Sequence, residues 1–227
     1  MAHPSLKPFT SQDELGGHGI SIDTALARNF TLRKLNMEGN GLSAEAGVTF
    51  SESLVQNMSI QKMNFKDNSL DYVVGETLGW KLEDDEQIKE CNLQGNYMGW
   101  RGGIAIANAL FTNRFLLDLN LNYNKLGENG PKVGISIAKS LFKNNVLQRL
   151  SLAGNRLGPQ SGFMFADTLK KNKSLVYLDF ENNRLDEEVG EKMQEMILEN
   201  FSLMDLKLSE VEIGGTLHKA IFEVIDA

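Results

Sequence analysis

One eleven-residue phrase is repeated along this chain. It spans residues 116–126, reads LLDLNLNYNKL, and follows the pattern L-x-x-L-x-L-x-x-N-x-L. Repetition at one fixed period predicts a single solenoid rather than several separate domains. Further copies begin in steps of 28 residues, with one step of 31, at Leu32, Ile60, Ile88, Leu147, Leu175 and Leu203.

Each repeat divides into a short strand and a helix. Apolar residues alternate with polar ones in the strand, as at Leu119 and Leu121, so one strand face is buried. Apolar residues then recur at helical spacing, as at Phe165 and Leu169. Because each strand leads directly into a helix, the strands are expected to pair in parallel with the helices outside them.

An asparagine follows the strand in nearly every copy, and only the last copy has Val211 instead. The backbone turns at this point and leaves amide groups without partners in the sheet. A buried carboxamide both donates and accepts hydrogen bonds, so a structural role is predicted. These asparagines are Asn40, Asn68, Asn96, Asn124, Asn155 and Asn183.

The phrase and its period resemble the leucine-rich-repeat family, in particular its ribonuclease-inhibitor-like branch. The resemblance implies an α/β solenoid, an open horseshoe with a parallel β-sheet on the concave face and α-helices on the convex face. It also implies protein binding as the usual activity. Because the family includes cytoskeletal and axonemal members and a GTPase-activating protein, these roles are alternatives.

The repeats are expected to occupy residues 19–213, as a half-repeat followed by about seven strands. Residues 1–18 are weakly patterned and predict an N-terminal arm or a degenerate cap. Residues 214–227 carry Leu217, Ile221 and Phe222 at helical spacing and predict a C-terminal capping helix.

Composition narrows the classes of partner and compartment. The formal net charge of −7 argues against a broad nucleic-acid footprint. With Cys91 as the single cysteine no intrachain disulfide forms, which favours a reducing, cytoplasmic location. No stretch is apolar enough for membrane insertion. Family analogy extends the expected location to cytoskeletal or ciliary structures and to membership of a larger complex.

The polar strand positions predict a concave protein-binding surface. Its first repeats are basic and its later ones acidic, a bipolar face that would orient a charged partner; the alternative is a merely solvated sheet. Asn36, Asn64, Asn92 and Asn120 form one column, which predicts carboxamides bonded along the sheet. The predicted concave contact residues are Lys34, Lys62, Glu90, Asp118, Asn120, Asn122, Arg149, Tyr177 and Asp179.

Aromatic residues predict a second contact region along the loops that leave the strands. Tyr72 and Trp100 share one repeat position, and Tyr97 and Tyr123 lie beside the repeated asparagines. Clustered Tyr and Trp are typical anchors of protein interfaces. The alternative is that they shield helix N-termini and the edge of the core. Trp80 falls at a polar position of the helices and predicts a convex contact.

Two irregularities interrupt the repeats. Three residues are inserted within residues 127–132, which predicts a longer loop, functional or neutral. The acidic run 83–86 follows a helix and predicts either a solvated surface or a contact for a basic partner.

No catalytic constellation is apparent in the sequence. His3, His18 and His218 share no metal-ligand spacing, and Cys91 at a core position predicts an inert thiol. No cofactor is expected. A GTPase-activating role would depend on Arg101 beside Trp100. The sequence therefore favours a non-enzymatic scaffold or adaptor, with a structural subunit of an axonemal or actin-associated assembly as the alternative.

Overall fold

The computed structural model describes residues 22–209, in which seven short strands alternate with seven helices. The strands are β1 (Lys34–Asn36), β2 (Lys62–Asn64), β3 (Glu90–Asn92), β4 (Asp118–Asn120), β5 (Arg149–Ser151), β6 (Tyr177–Asp179) and β7 (Asp205–Lys207). The helices are α1 (Ile22–Arg28), α2 (Ala44–Gln56), α3 (Tyr72–Asp84), α4 (Gly99–Thr112), α5 (Lys132–Leu141), α6 (Pro159–Leu169) and α7 (Glu187–Glu199).

The seven strands form one open, parallel sheet in chain order, as the repeat predicts. Leu35 pairs with Met63, Met63 pairs with Cys91, and Cys91 pairs with Leu119. Leu119 pairs with Leu150 in the same register, so the three extra residues between these strands do not shift the sheet. The sheet lines the concave face and the helices form the convex face, which confirms the predicted fold class.

A continuous apolar core fills the space between sheet and helices. The middle residue of every strand is buried, and each helix contributes its inner face. The rings of Phe165 in α6 and Phe180 after β6 lie 4.7 Å apart between centroids. Full burial of such a side chain stabilises the fold by about 1.5–3 kcal/mol.

Helices α3 and α4 approach each other backbone to backbone. A Cβ atom on Gly75 would lie 2.6 Å from the Cα atom of Gly102. One turn later, a Cβ atom on Gly79 would lie 2.9 Å from the carbonyl carbon of Ala105. Both distances are shorter than real carbon contacts, so the spacing of these helices requires the glycines.

The inserted residues form a turn ahead of α5. The Glu128 amide donates to the Lys125 carbonyl at 3.3 Å, and the Gly130 amide donates to the Gly127 carbonyl at 3.1 Å. Gly130 has a φ of 88°, which favours glycine. The predicted loop expansion is therefore compact and leaves the sheet register intact.

The predicted arm (1–18) and capping helix (214–227) lie outside the described residues, as do the three histidines. No helix among the residues described is both long and apolar enough to cross a membrane.

Candidate protein-interaction surface

The concave face presents the polar residues of the strands in columns. Lys34, Lys62, Glu90 and Asp118 are paired in register across β1–β4. A shallow groove of about 440 Å³ lies over these four strands and is lined by both charged and amide side chains. Its floor includes Cys91, whose side chain is buried.

Three cations of this face form ion pairs with acidic side chains, which was not predicted; the bipolar orientation of a charged partner stays a prediction. Each of the three cations has its acid on a neighbouring strand or turn. Lys34 is exposed and forms no ion pair with residues 22–209. The pairs are Lys62 with Glu90, Lys66 with Glu38 at 3.0 Å, and Arg149 with Asp118 at 3.4 Å.

Two carboxyl groups of the concave face have pKa values shifted in opposite directions. Removal from water raises the pKa of Asp118, and attraction to Arg149 offsets only part of that shift. Hydrogen bonds from Lys66 and then Asn64 lower the pKa of Glu38. Burial therefore disfavours the charged form of Asp118, whereas hydrogen bonding favours the charged form of Glu38.

Asn122 and Asp179 are buried, at 9% and 7% exposure, rather than on the solvated side as expected. The Asn122 Nδ2 donates to Asp179 Oδ2 at 3.2 Å, and its Oδ1 accepts the Ala153 amide at 2.6 Å. Ala153 is the equivalent of Asn122 in the intervening repeat, and its small side chain lets Asn122 reach across β5. Both polar groups are thus engaged within the sheet.

The column of Asn36, Asn64, Asn92 and Asn120 also differs from expectation. The carboxamides do not bond one another: each Oδ1 accepts the backbone amide two residues later, at 3.0–3.1 Å. Asn120 Nδ2 donates to the Gln94 side chain at 3.1 Å. These asparagines close the turns after their own strands, a local structural role.

Tyr72, Tyr97, Trp100 and Tyr123, hereafter the loop edge, are all exposed. Tyr97 and Tyr123 are 54% and 52% exposed. Tyr72 begins α3 and Trp100 lies in the first turn of α4, so these two belong to helix N-termini rather than to loops. The Arg101 Cζ lies 5.1 Å from the Tyr72 ring centroid and 5.6 Å from that of Trp100.

The remaining loop-edge rings also have covered faces. The Lys125 Nζ lies 4.7 Å from the Tyr97 ring centroid. The Tyr123 ring lies over the backbone of Gly154, where any side chain would collide with it. Asp67, Gly95, Tyr123 and Gly154 occupy the same position in successive repeats, and all four have a positive φ. The Asp67 carboxylate lies over Gly95 as the Tyr123 ring lies over Gly154.

The convex face carries Trp80, the other exposed tryptophan, at 70% exposure. It borders a groove of about 390 Å³ between α3 and α4 that also includes Asn108 and Phe111. Gly79 and Ala105, where the two helices approach each other, also line this groove. The structure thus places Trp80 on the convex face, away from the loop edge.

Comparisons with known proteins agree with this architecture. A family profile described as Leucine Rich repeat matches residues 28–51, 112–130 and 143–166. These three stretches match leucine-rich repeats, and the fold is a leucine-rich-repeat solenoid. Its assignment to the ribonuclease-inhibitor-like branch stays a prediction. Among curated protein sequences, none matches the chain significantly.

Two solved structures are similar to this leucine-rich-repeat chain. One is the tropomodulin C-terminal domain of Caenorhabditis elegans, with a TM-score of 0.55 and 17% identity, over 67% of this chain and 91% of that one. The other is described as Leiomodin-1 Actin-Binding Site 2, with a TM-score of 0.44 and 18% identity, over 71% of this chain and 80% of that one. The first similarity supports the fold.

The asparagines of the leucine-rich repeats have the predicted structural role. The fully buried Asn155 is representative: its Nδ2 donates to the Leu121 carbonyl at 2.9 Å and to the Leu152 carbonyl at 2.8 Å. Its Oδ1 accepts the amides of Asn124 and Leu126. Five of the six side chains likewise donate to a carbonyl of the preceding repeat, whereas Asn40, within residues 22–209, donates only to the Glu38 carbonyl in its own turn.

A second asparagine ladder, which was not predicted as a set, closes the opposite end of the repeats. Asn113 is typical: its Nδ2 donates to the carbonyls of Leu82 and Asp85, and its Oδ1 accepts the amides of Phe115 and Leu116. The position three residues before each phrase would have revealed it. That position holds Asn29, Asn57, Asp85, Asn113, Asn144, Asn172 and Asn200.

Asp85 is the exception in this ladder, and it corrects the interpretation of the acidic run 83–86 as a uniformly solvated or partner-binding surface. Its side chain is buried against the ammonium group of Lys81. Glu83, Asp84 and Glu86 are exposed. The run thus combines one structural carboxylate with three surface ones.

Cys91 is buried, which agrees with the predicted inert thiol. Burial raises the pKa of the thiol, and the neighbouring Asp118 carboxylate adds to the shift. Within the described part of the chain, no three His, Cys, Asp or Glu side chains form a group that could hold a metal ion. Arg101, on which the GTPase-activating alternative depends, lies on the loop edge.

Proposed function

We propose that this leucine-rich-repeat chain is a non-enzymatic scaffold or adaptor that binds a protein partner through the loop edge and the adjoining concave sheet. The observation that carries the proposal is the exposure of four aromatic residues along one edge of the solenoid. Exposed Tyr and Trp bury large areas at little entropic cost, and they are common hot spots of interfaces.

The concave sheet contributes recognition of a different kind. Its ion pairs are at least partly exposed, and such pairs are worth only about 0–1 kcal/mol each. They are therefore easily rearranged by a partner with complementary charges. Affinity would come mainly from the aromatic residues, and orientation would come from the charged columns.

Crosslinking mass spectrometry on native material is the direct test. Lys62 and Lys66 mark the concave face, Lys125 marks the loop edge, and Lys139 marks the convex helices. The proposal expects partner crosslinks at the first three lysines and none at Lys139. The opposite distribution would contradict it.

A double variant tests the aromatic contribution. Tyr72→Ala with Trp100→Ala is expected to weaken capture of the crosslinked partner without unfolding the chain. Phe142→Ala is the matched control, because Phe142 is an aromatic residue with 50% exposure on the helical side. Unchanged capture by the double variant would exclude the loop edge as the binding region.

The second candidate is a structural subunit of a cytoskeletal assembly, which the exposed Trp80 on the convex face favours. In such an assembly both faces of the solenoid would be covered by fixed neighbours. Co-sedimentation with actin filaments and with microtubules tests it, with Trp80→Ala as the diagnostic variant. Crosslinks from both faces to several constant neighbours would favour the assembly over the adaptor.

A further inference from the structure

Three cations in or beside the loops of the loop edge differ from the central cations of the concave face. Arg101, Lys125 and Arg156 are exposed and form no ion pair with any residue in 22–209. The concave cations Lys62 and Arg149 both have acidic partners. The loop edge therefore keeps positive charge available to a binding partner.

Two of these cations are held in place by aromatic rings. Arg101 lies over the rings of Tyr72 and Trp100, and Lys125 lies over the ring of Tyr97. Cation–π contact restricts a long side chain without using its N–H donors. Less side-chain entropy is then lost when those donors bind an anion.

The local charge also contrasts with that of the whole chain. The protein has a net charge of −7, yet the loops of three successive repeats, residues 94–101, 122–132 and 153–160, are predominantly basic. They contain one acid, Glu128, and the cations Arg101, Lys125, Lys132 and Arg156.

We propose that the loop edge binds an acidic peptide segment of the partner, whose carboxylates contact Arg101, Lys125 and Arg156. This inference rests on the proposed protein-binding function and specifies the chemistry of the partner. Guanidinium groups bind carboxylates through paired N–H donors, and Lys125 supplies a further point charge.

The ring faces disfavour the other polyanion, single-stranded nucleic acid. Nucleic acids bind such surfaces by stacking bases on free aromatic faces. Here Tyr72, Tyr97 and Trp100 each have a cation over the ring, and Tyr123 lies against Gly154. Carboxylates need only the cations and leave these contacts in place.

A fluorescein-labelled decaglutamate peptide tests the inference by fluorescence anisotropy at low and high salt. Because the net charge of the protein is negative, binding of this peptide would indicate a local basic site. Arg101→Gln, Lys125→Gln and Arg156→Gln are each expected to weaken binding roughly twofold to fivefold at low salt, and added salt to weaken it further. The convex variants Lys139→Gln and Lys143→Gln are matched controls and should bind as the wild type does.

Two further measurements complete the test. In a Trp80→Phe background Trp100 is the only tryptophan, so peptide binding should change its emission; thermal melts verify that every variant is folded. Failure of the peptide to bind, an equal loss in the control variants, or tighter binding of a single-stranded DNA decamer would overturn the inference. If the natural partner still crosslinks to Lys125 in that case, the proposed function stands and only the acidic chemistry is wrong.

Discussion

The Lys81 ammonium nitrogen lies 2.6 Å from Asp85 Oδ2, and both side chains are buried. Lys81 also donates to the Asn57 carbonyl at 2.8 Å, while Asp85 accepts the amides of Gln87 and Ile88. In the following repeat, Asn113 alone makes the corresponding bonds. The Lys81 and Asp85 side chains together thus make the hydrogen bonds that a single carboxamide makes in the following repeat.

Separating this pair should be costly. Lys81→Ala leaves a buried carboxylate, and Asp85→Asn leaves a buried ammonium group. Each single variant is expected to lower the free energy of unfolding by about 3 kcal/mol or more, because a buried charge loses its partner. Urea denaturation followed by circular dichroism measures this difference.

The double variant Lys81→Ala with Asp85→Asn is the critical comparison. It recreates the combination found one repeat later, where Ala109 and Asn113 occupy these positions. Its stability should return to within about 1 kcal/mol of the wild type, since the new carboxamide can reach the Asn57 carbonyl. Additive losses from the two substitutions would show that the pair does not replace an asparagine.

Asn155→Leu should destabilise the chain by about 3 kcal/mol. The substitution leaves buried backbone carbonyls and amides of two repeats without partners, and each such loss costs about 1–3 kcal/mol. Asn129→Leu is the control, because Asn129 is exposed in the inserted turn. A similar stability for the two variants would contradict the role assigned to the repeated asparagine.

Gly75→Ala should be destabilising although alanine favours helices. Helix propensity alone would add up to about 1 kcal/mol, but separation of α3 from α4 is expected to cost about 1–3 kcal/mol. The predicted result is a lower melting temperature. Asn108→Ala, at an exposed site of α4, lacks that clash, and its melting temperature should not fall.

Asp118 and Glu38 should titrate on opposite sides of their ordinary pKa values. Carbon-13 NMR of the carboxyl groups is expected to place the pKa of Asp118 above 3.8 and the pKa of Glu38 below 4.5. Either group titrating on the other side would contradict the electrostatics described for the concave face.

The stability consequences of these two pKa shifts differ in sign. The raised pKa of Asp118 means that its carboxylate disfavours folding above the folded-state pKa, so Asp118→Asn should stabilise the chain at pH 7 and lose that advantage below 3.8. The lowered pKa of Glu38 favours folding above 4.5, so Glu38→Gln should destabilise at pH 7. That deficit should shrink as the pH falls through the folded-state pKa of Glu38.

The Cys91 thiol should react with Ellman's reagent only when the chain opens. It is buried, and its pKa is raised, so little thiolate is present in the folded state. The reaction should be slow in buffer and fast in urea. Asn129→Cys adds an exposed thiol that should react at once, which verifies the reagent; equally rapid labelling of Cys91 would contradict its burial.

The parts of the fold that follow from the repeat were predictable from the sequence. Leu119, Leu121 and Asn124 recur at the same phase in successive repeats, and their burial depends on that phase alone. The parallel register follows for the same reason. A fixed period therefore predicts both the architecture and the residues that stabilise it.

The parts that depend on one particular neighbour were not predicted. Asn122 is buried because Ala153 is small enough for it to reach Asp179, a relationship across the intervening strand β5. Charge pairing on the concave face depends on which sign the adjacent repeat presents. Asp85 was recognisable only after alignment by period, as an acid in a column of asparagines with Lys81 four residues before it.

Asp67 lies over Gly95, and Tyr123 lies over Gly154. Along this margin a residue with an overlying side chain alternates with a glycine that makes room for it. The packing of the apolar core therefore recurs in every repeat, whereas the packing along this margin recurs in every second repeat. Excising the repeat of Gly95 alone would bring Asp67 against Tyr123, whereas excising the repeats of both Gly95 and Tyr123 would bring it against Gly154 and preserve the alternation.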